Sequence, residues 1–106
     1  MAGSSAGEIE RARNDIKQTL ERVRGTIRMK IPPRDQSEML DCVERVQEAI
    51  AIWDVSGIGS NVLRGKDTCR RVLRGKAVDM VLILNELETV ETLVGKLIPL
   101  MSKHKH

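Results

Sequence analysis

Phenylalanine and tyrosine are absent from this 106-residue chain, and Trp53 is its single aromatic residue. The core must therefore be aliphatic, built from Leu, Ile, Val, Met and Ala, which pack well on helices and strands alike. The same absence removes the ring faces on which single-stranded RNA or DNA stacks its bases, and so argues against an RRM-like or OB-fold-like reader. Histidine occurs only at His104 and His106, beside the C-terminus. They support no Ser-His-Asp or Cys-His set and no metal site, so no catalytic residue is assigned. Cysteine occurs only at Cys42 and Cys69, far apart and outside any metal-ligand spacing. With no secretory leader and no apolar run long enough to span a membrane, the expectation is a reducing compartment, nucleus or cytoplasm, with free thiols and no membrane partner. A Walker loop is missing too. Gly57-Ile58-Gly59-Ser60 lacks the Gly-Lys-Ser/Thr ending, and Gly65-Lys66 runs into Asp67.

What is present fits one compact domain over residues 8–101, between a flexible N-terminus (1–7) and a basic, disordered tail (102–106). Ser5 and Glu8 form a capping-box pattern, and Ile9, Ile16, Leu20, Val23 and Ile27 follow at helical spacing, giving a first helix to about Arg28. Ile31-Pro32-Pro33 stops it. Asp35 with Glu38 offers the next cap, and Met39 or Leu40, Val43, Val46, Ile50 and Trp53 continue a second amphipathic helix over about Gln36–Trp53. Ser56–Ser60 has the glycine density of a turn. In Val62–Lys76, Gly65 and Gly75 argue against unbroken helix, so a short strand or hairpin is expected. Val78–Leu84, apolar except for Asp79, fits a buried central strand. A helix over about Glu86–Met101 closes the chain, with Pro99 kinking it or ending it early. The expected fold is thus α+β. If Asn61–Leu84 were helical instead, the chain would be an all-α four-helix bundle.

Charge is segregated along the chain although the net charge is only +3. Asp35, Glu38, Asp41, Glu44, Glu48 and Asp54 face Arg45 alone in one stretch. Arg64, Lys66, Arg70, Arg71, Arg74 and Lys76 face Asp67 alone in another, where Val-Leu-Arg-Gly-Lys occurs twice. This basic segment has three readings: a solvated face, a contact surface for RNA or DNA phosphates, or a docking strip for an acidic partner, a second copy's Asp35–Asp54 helix included. Trp53, at the end of an apolar helix face, is either core or an interface anchor.

Asp79 is out of place in an apolar strand, where a carboxylate needs a partner or a metal. A metal clamp needs a second carboxylate two positions on, and that position is Val81. Pairing with Lys76 or Arg74 is the structural reading. The order helix, turn at Ile58-Gly59-Ser60, strand with Asp79, helix resembles the opening of the nucleotidyltransferase fold. More specifically, Val72-Leu73-Arg74-Gly75-Lys76-Ala77-Val78-Asp79-Met80-Val81-Leu82-Ile83-Leu84, with Glu88-Thr89-Val90-Glu91-Thr92-Leu93 after it, resembles the DZF domain. That "domain associated with zinc fingers" occurs in the interleukin enhancer-binding factors and the zinc-finger RNA-binding protein. The resemblance covers about the last half of the chain. It implies a degenerate nucleotidyltransferase that pairs with another DZF protein in double-stranded RNA complexes, with Gly59 and Ser60 at the nucleotide-facing turn and Asp79 as the surviving metal-type acid.

These observations lead to the expectation of a non-catalytic, nucleic-acid-associated adaptor that holds duplex RNA or DNA phosphates through Arg64, Lys66, Arg70, Arg71, Arg74 and Lys76, without a cofactor. The alternative is a protein-interaction or homo-oligomerisation module that uses its amphipathic helices. A small nucleotidyltransferase using Asp79 and Mg²⁺ is disfavoured by Val81.

Overall fold

The periodicity of the last third of the chain sets the architecture. Met80, Ile83, Leu87, Val90, Val94, Leu97 and Met101 alternate at spacings of three and four, which lays one apolar stripe along a single helix. In the structure, a computed structural model, that helix is α4 (Ala77–His104). Before it come α1 (Ala2–Lys30), α2 (Pro33–Ala51) and α3 (Val55–Val72). Backbone is described from Ala2 to His104 and side chains from Gly7 to Ser102. Helix already covers residues 2–7 and 102–104, assigned to tails on sequence grounds; Met1, Lys105 and His106 lie outside the described residues.

The fold is all-α, which overturns the α+β expectation and matches the four-helix alternative; no strand occurs among the described residues. Both expected strands are helical for identifiable reasons. In α3, Gly65 is not a breaker. Ile58, Val62, Gly65 and Cys69 are all buried at spacings of four, three and four, and a Cβ added at Gly65 would stand 3.6 Å from both Cys42 Cβ and Leu87 Cδ1. The glycine thus occupies a core position where α3 meets both α2 and α4. In Val78–Leu84, only Ile83 is fully buried and Met80 is half-buried, whereas Val78, Val81 and Leu82 are exposed. The apolar run is a helix with aliphatic side chains on both sides, not a strand inside a sheet.

The four helices run up, down, up and down, each packed against its two neighbours in the cycle. Three contacts fix the antiparallel order at one end: Lys30 with Asp79 (3.7 Å), Arg71 with Glu38 (2.7 Å), and Cys69 Sγ near the Met80 carbonyl (3.8 Å). With 29 and 28 residues against 19 and 18, α1 and α4 outreach α2 and α3, in keeping with a long axis of 49 Å. Ile16, Leu20, Val23, Ile27, Met39, Val43, Val46, Ile58, Val62, Leu73, Ile83 and Leu97 form the aliphatic centre. Thr19 is buried among them with its hydroxyl donating to the Asp15 carbonyl at 2.9 Å.

Each corner has its own device. At the first, Pro32 stands at the N-cap of α2 with Pro33 at N1, so Asp35 lies in the first turn instead of capping it. Gln36 Nε2 donates to the Arg28 and Ile31 carbonyls, satisfying acceptors that the end of α1 leaves open. At the second, the Trp53 N–H bonds to Ile50 and the Asp54 N–H to Ala49, a Schellman closure with Trp53 at φ 54 where glycine is usual. Asp54 also caps α3, its carboxylate accepting from the Gly57 N–H at 3.0 Å. Ser56–Ser60 is therefore the first turn of a helix and not a loop. At the third corner Gly75 takes φ 90, a conformation costly for any residue with a Cβ. Pro99 lies inside α4, exposed, without ending the helix.

Candidate functional site

The basic segment is drawn largely into the chain's own acids. Arg64 donates to Asp41 at 2.8 Å, Arg71 to Glu38 at 2.7 Å and Arg70 to Asp67 at 3.3 Å, while Lys66 pairs with Glu91. Two of these acids belong to α2, the acidic stretch of the sequence. The complementarity between the acidic and basic segments is thus realised within one chain, α2 against α3. The Arg64 guanidinium beside Asp41 holds that carboxyl below its ordinary range, and the pairs raise Arg64 and Arg71 further above neutrality. Only Arg74 and Lys76 of the six are exposed without an acid partner among the described residues.

Those two lie at the end of the bundle where α1 and α3 finish and α2 and α4 begin. Lys30, Arg34, Arg70 and Arg71 are also there, each bound to one acid: Asp79, Asp35, Asp67 and Glu38. Arg28 joins Arg74 and Lys76 as a cation with no acid partner among the described residues. This end therefore carries a surplus of three positive charges. It also carries exposed aliphatic side chains: Val78 is 84% exposed and Met29 80%, with Val81 and Leu82 about half as open. The acidic residues that could neutralise the surplus are engaged.

The pieces of the suggested nucleotide site are not brought together. Gly59 and Ser60 sit near the start of α3, where Gly59 is open and the Ser60 hydroxyl lies 3.4 Å from the Gly57 carbonyl. Asp79 is in the first turn of α4, beyond the far end of α3, and pairs with Lys30 of α1, not with Lys76 or Arg74. About 13 residues of helix, some 20 Å, separate the two features. The strand that the DZF resemblance implies around Asp79 is helix here.

The remaining chemistry-bearing groups are quiet. Cys42 and Cys69 are buried thiols; burial pushes Cys42 up and Cys69 up to about 11, far from the thiolate form. Among the described residues no group of three or more His, Cys, Asp or Glu could hold a metal. Trp53 is half-buried and packed against the core. A groove of about 440 Å³ lies between α1 and α2, lined by Ile16, Leu20, Ile50 and Ala51 with Arg13, Lys17, Glu21 and Gln47. Its floor is already covered, since Ile16 and Leu20 are 1% exposed.

Residue pattern alone missed the exposed end. The signal lay in Val78-Asp79-Met80-Val81-Leu82-Ile83-Leu84, which has more apolar residues than one helical stripe can bury. No family model, curated protein or solved structure matches the chain. No helix among the described residues is long and apolar enough to cross a membrane.

Proposed function

We propose that this chain is a non-catalytic helical interaction module that docks a protein partner at the end of the bundle bearing Met29, Val78, Val81 and Leu82. The observation that carries the reading is the exposure of four aliphatic side chains at one end, where three cations have no acid partner among the described residues. Isolated exposed hydrophobes are ordinary, but a group on one end of a small domain marks an interaction surface. The basic segment as a whole supports phosphate binding less well, because Arg64, Lys66, Arg70 and Arg71 already hold carboxylates. Two free thiols fit a reducing compartment, nucleus or cytoplasm.

A second reading keeps the duplex RNA or DNA partner, reduced to Arg28, Arg74 and Lys76, which have no acid partner to displace among the described residues. Three phosphate contacts would give weak, strongly salt-dependent and sequence-blind binding. One experiment separates the two. A photo-reactive amino acid is placed at Val78 and, as a control, at Glu44 on the outer face of α2, and adducts are collected in cells. The module reading expects a discrete protein adduct at position 78 alone. Adducts with nucleic acid, or none that distinguish the two positions, overturn it.

A further inference from the structure

Glu86 on α4 lies beside Arg22 and Thr26 on α1, and Asp79 pairs with Lys30 about two turns nearer the end of the bundle. These two contacts set the register of the α1–α4 seam. Residues at i, i+4 and i+7 or i+8 share a helix face, so Met29 follows Arg22 and Thr26 on α1 just as Leu82 and Val78 follow Glu86 on α4. Met29, Leu82 and Val78 therefore lie along the outer side of one seam between two antiparallel helices. On the same face of α1, Gly25 has nothing within 4 Å of where a Cβ would stand. The outer side of a seam between two antiparallel helices receives a third helix by packing ridges into grooves.

Charge selects which helix. Arg28 and Lys30 flank Met29 in sequence, and Arg74 and Lys76 precede Val78; of these four only Lys30 has an acid partner among the described residues. We infer, resting on the proposed function, that the α1–α4 seam at Met29, Val78 and Leu82 docks an acidic amphipathic helix of a partner protein, with the partner's aliphatic residues on the seam and its carboxylates on Arg28, Arg74 and Lys76. Aliphatic anchors in a cationic frame match the helix-in-groove mode of recognition. Exposed valine and methionine side chains have no counterpart on a phosphate backbone, which disfavours a nucleic acid as occupant.

The test uses the full chain and four probes. These are a fluorescent helical peptide with Leu at i, i+3, i+4 and i+7 and Glu elsewhere, the same peptide with Lys for Glu, phosphatidylserine vesicles, and duplex RNA. The acidic peptide is expected to bind with an affinity that falls as salt rises, and the lysine peptide not to bind. Val78→Asp, a change at a largely exposed site that leaves the core intact, is expected to weaken the acidic peptide about tenfold or more. The pair Arg74→Gln and Lys76→Gln is expected to weaken it several-fold. Equal binding by Val78→Asp overturns the site. Failure of the acidic peptide alongside binding to vesicles or RNA overturns the partner's chemistry, as does self-association in sedimentation that Val78→Asp abolishes. A protein adduct at position 78 in cells with no acidic-peptide binding overturns this inference while the interaction-module reading stands; absence of both removes the two together.

Discussion

Gly65 shows how a single residue can point to the wrong fold while supporting the right one. In the middle of α3 it costs helix propensity, yet its missing Cβ would meet Cys42 and Leu87 at ordinary contact distance, not in a clash. Gly65→Ala is therefore expected to raise stability, by up to about 1 kcal/mol, read as a later urea midpoint. Asp54→Ala should do the opposite. Loss of the α3 cap is expected to cost about 1 kcal/mol in the same assay. Glu86 gives a pH signature. Burial raises its pKa against the pull of Arg22, and its Oε2 is buried with no hydrogen-bond partner. The folded state thus favours the protonated carboxyl; that stability is fully present below the ordinary carboxylate range and is lost as pH rises through the raised folded-state value. Glu86→Gln is expected to match the parent chain in acid and to exceed it near neutrality. A parent midpoint that gains on the variant as pH rises would contradict the assignment.

At the scale of the element, α3 is the informative case. Its basic residues tie it to α2 and α4 through side chains that are mostly well exposed: Arg64 and Arg71 at 45% and 62%, against acids almost as open. Solvated pairs of this kind add little. Arg64→Gln and Arg71→Gln are accordingly expected to leave the unfolding midpoint almost unchanged, whereas Ile83→Ala in the core of α4 should lose about 2–5 kcal/mol. The contrast locates what holds the bundle together, which is aliphatic burial.

The same contrast explains which elements were legible in the sequence. The first two helices were readable because Ile16, Leu20, Val23, Ile27, Val43 and Val46 recur at helical spacing between clear breakers. Helix α3 was not, since it packs a glycine where the pattern needs an aliphatic residue and starts at Asp54 within a glycine-rich stretch. The α2–α3 corner was invisible because Trp53, not glycine, adopts the left-handed conformation. The beginning of α4 misled for a different reason: exposed Val78, Val81 and Leu82 filled the gaps that would have revealed its period. The same side chains make up the candidate site, so the misread element and the proposed docking surface are one feature.

Across the whole molecule, charge and apolar exposure are distributed by pairing. The acidic face of α2 absorbs Arg64 and Arg71 and α4 absorbs Lys66, while Arg28, Arg74 and Lys76 stand with Met29, Val78, Val81 and Leu82 at the end where α1 finishes and α4 begins; Ile52 and Val55 are exposed at the opposite corner. The proposed docking surface lies at the Val78 end and needs no added loop or cavity. This arrangement depends on Val55–Val72 and Ala77–Leu84 being helical, because a strand at Val78–Leu84 would turn alternate side chains to opposite faces and disperse the patch. The most direct test is the backbone ¹³Cα secondary chemical shift of the isotope-labelled chain in solution. Uniformly helical shifts are expected from Val55 to Val72 and from Ala77 to His104, interrupted only around Gly75. Strand-like shifts across Val78–Leu84 would contradict the bundle, the seam and the docking surface together.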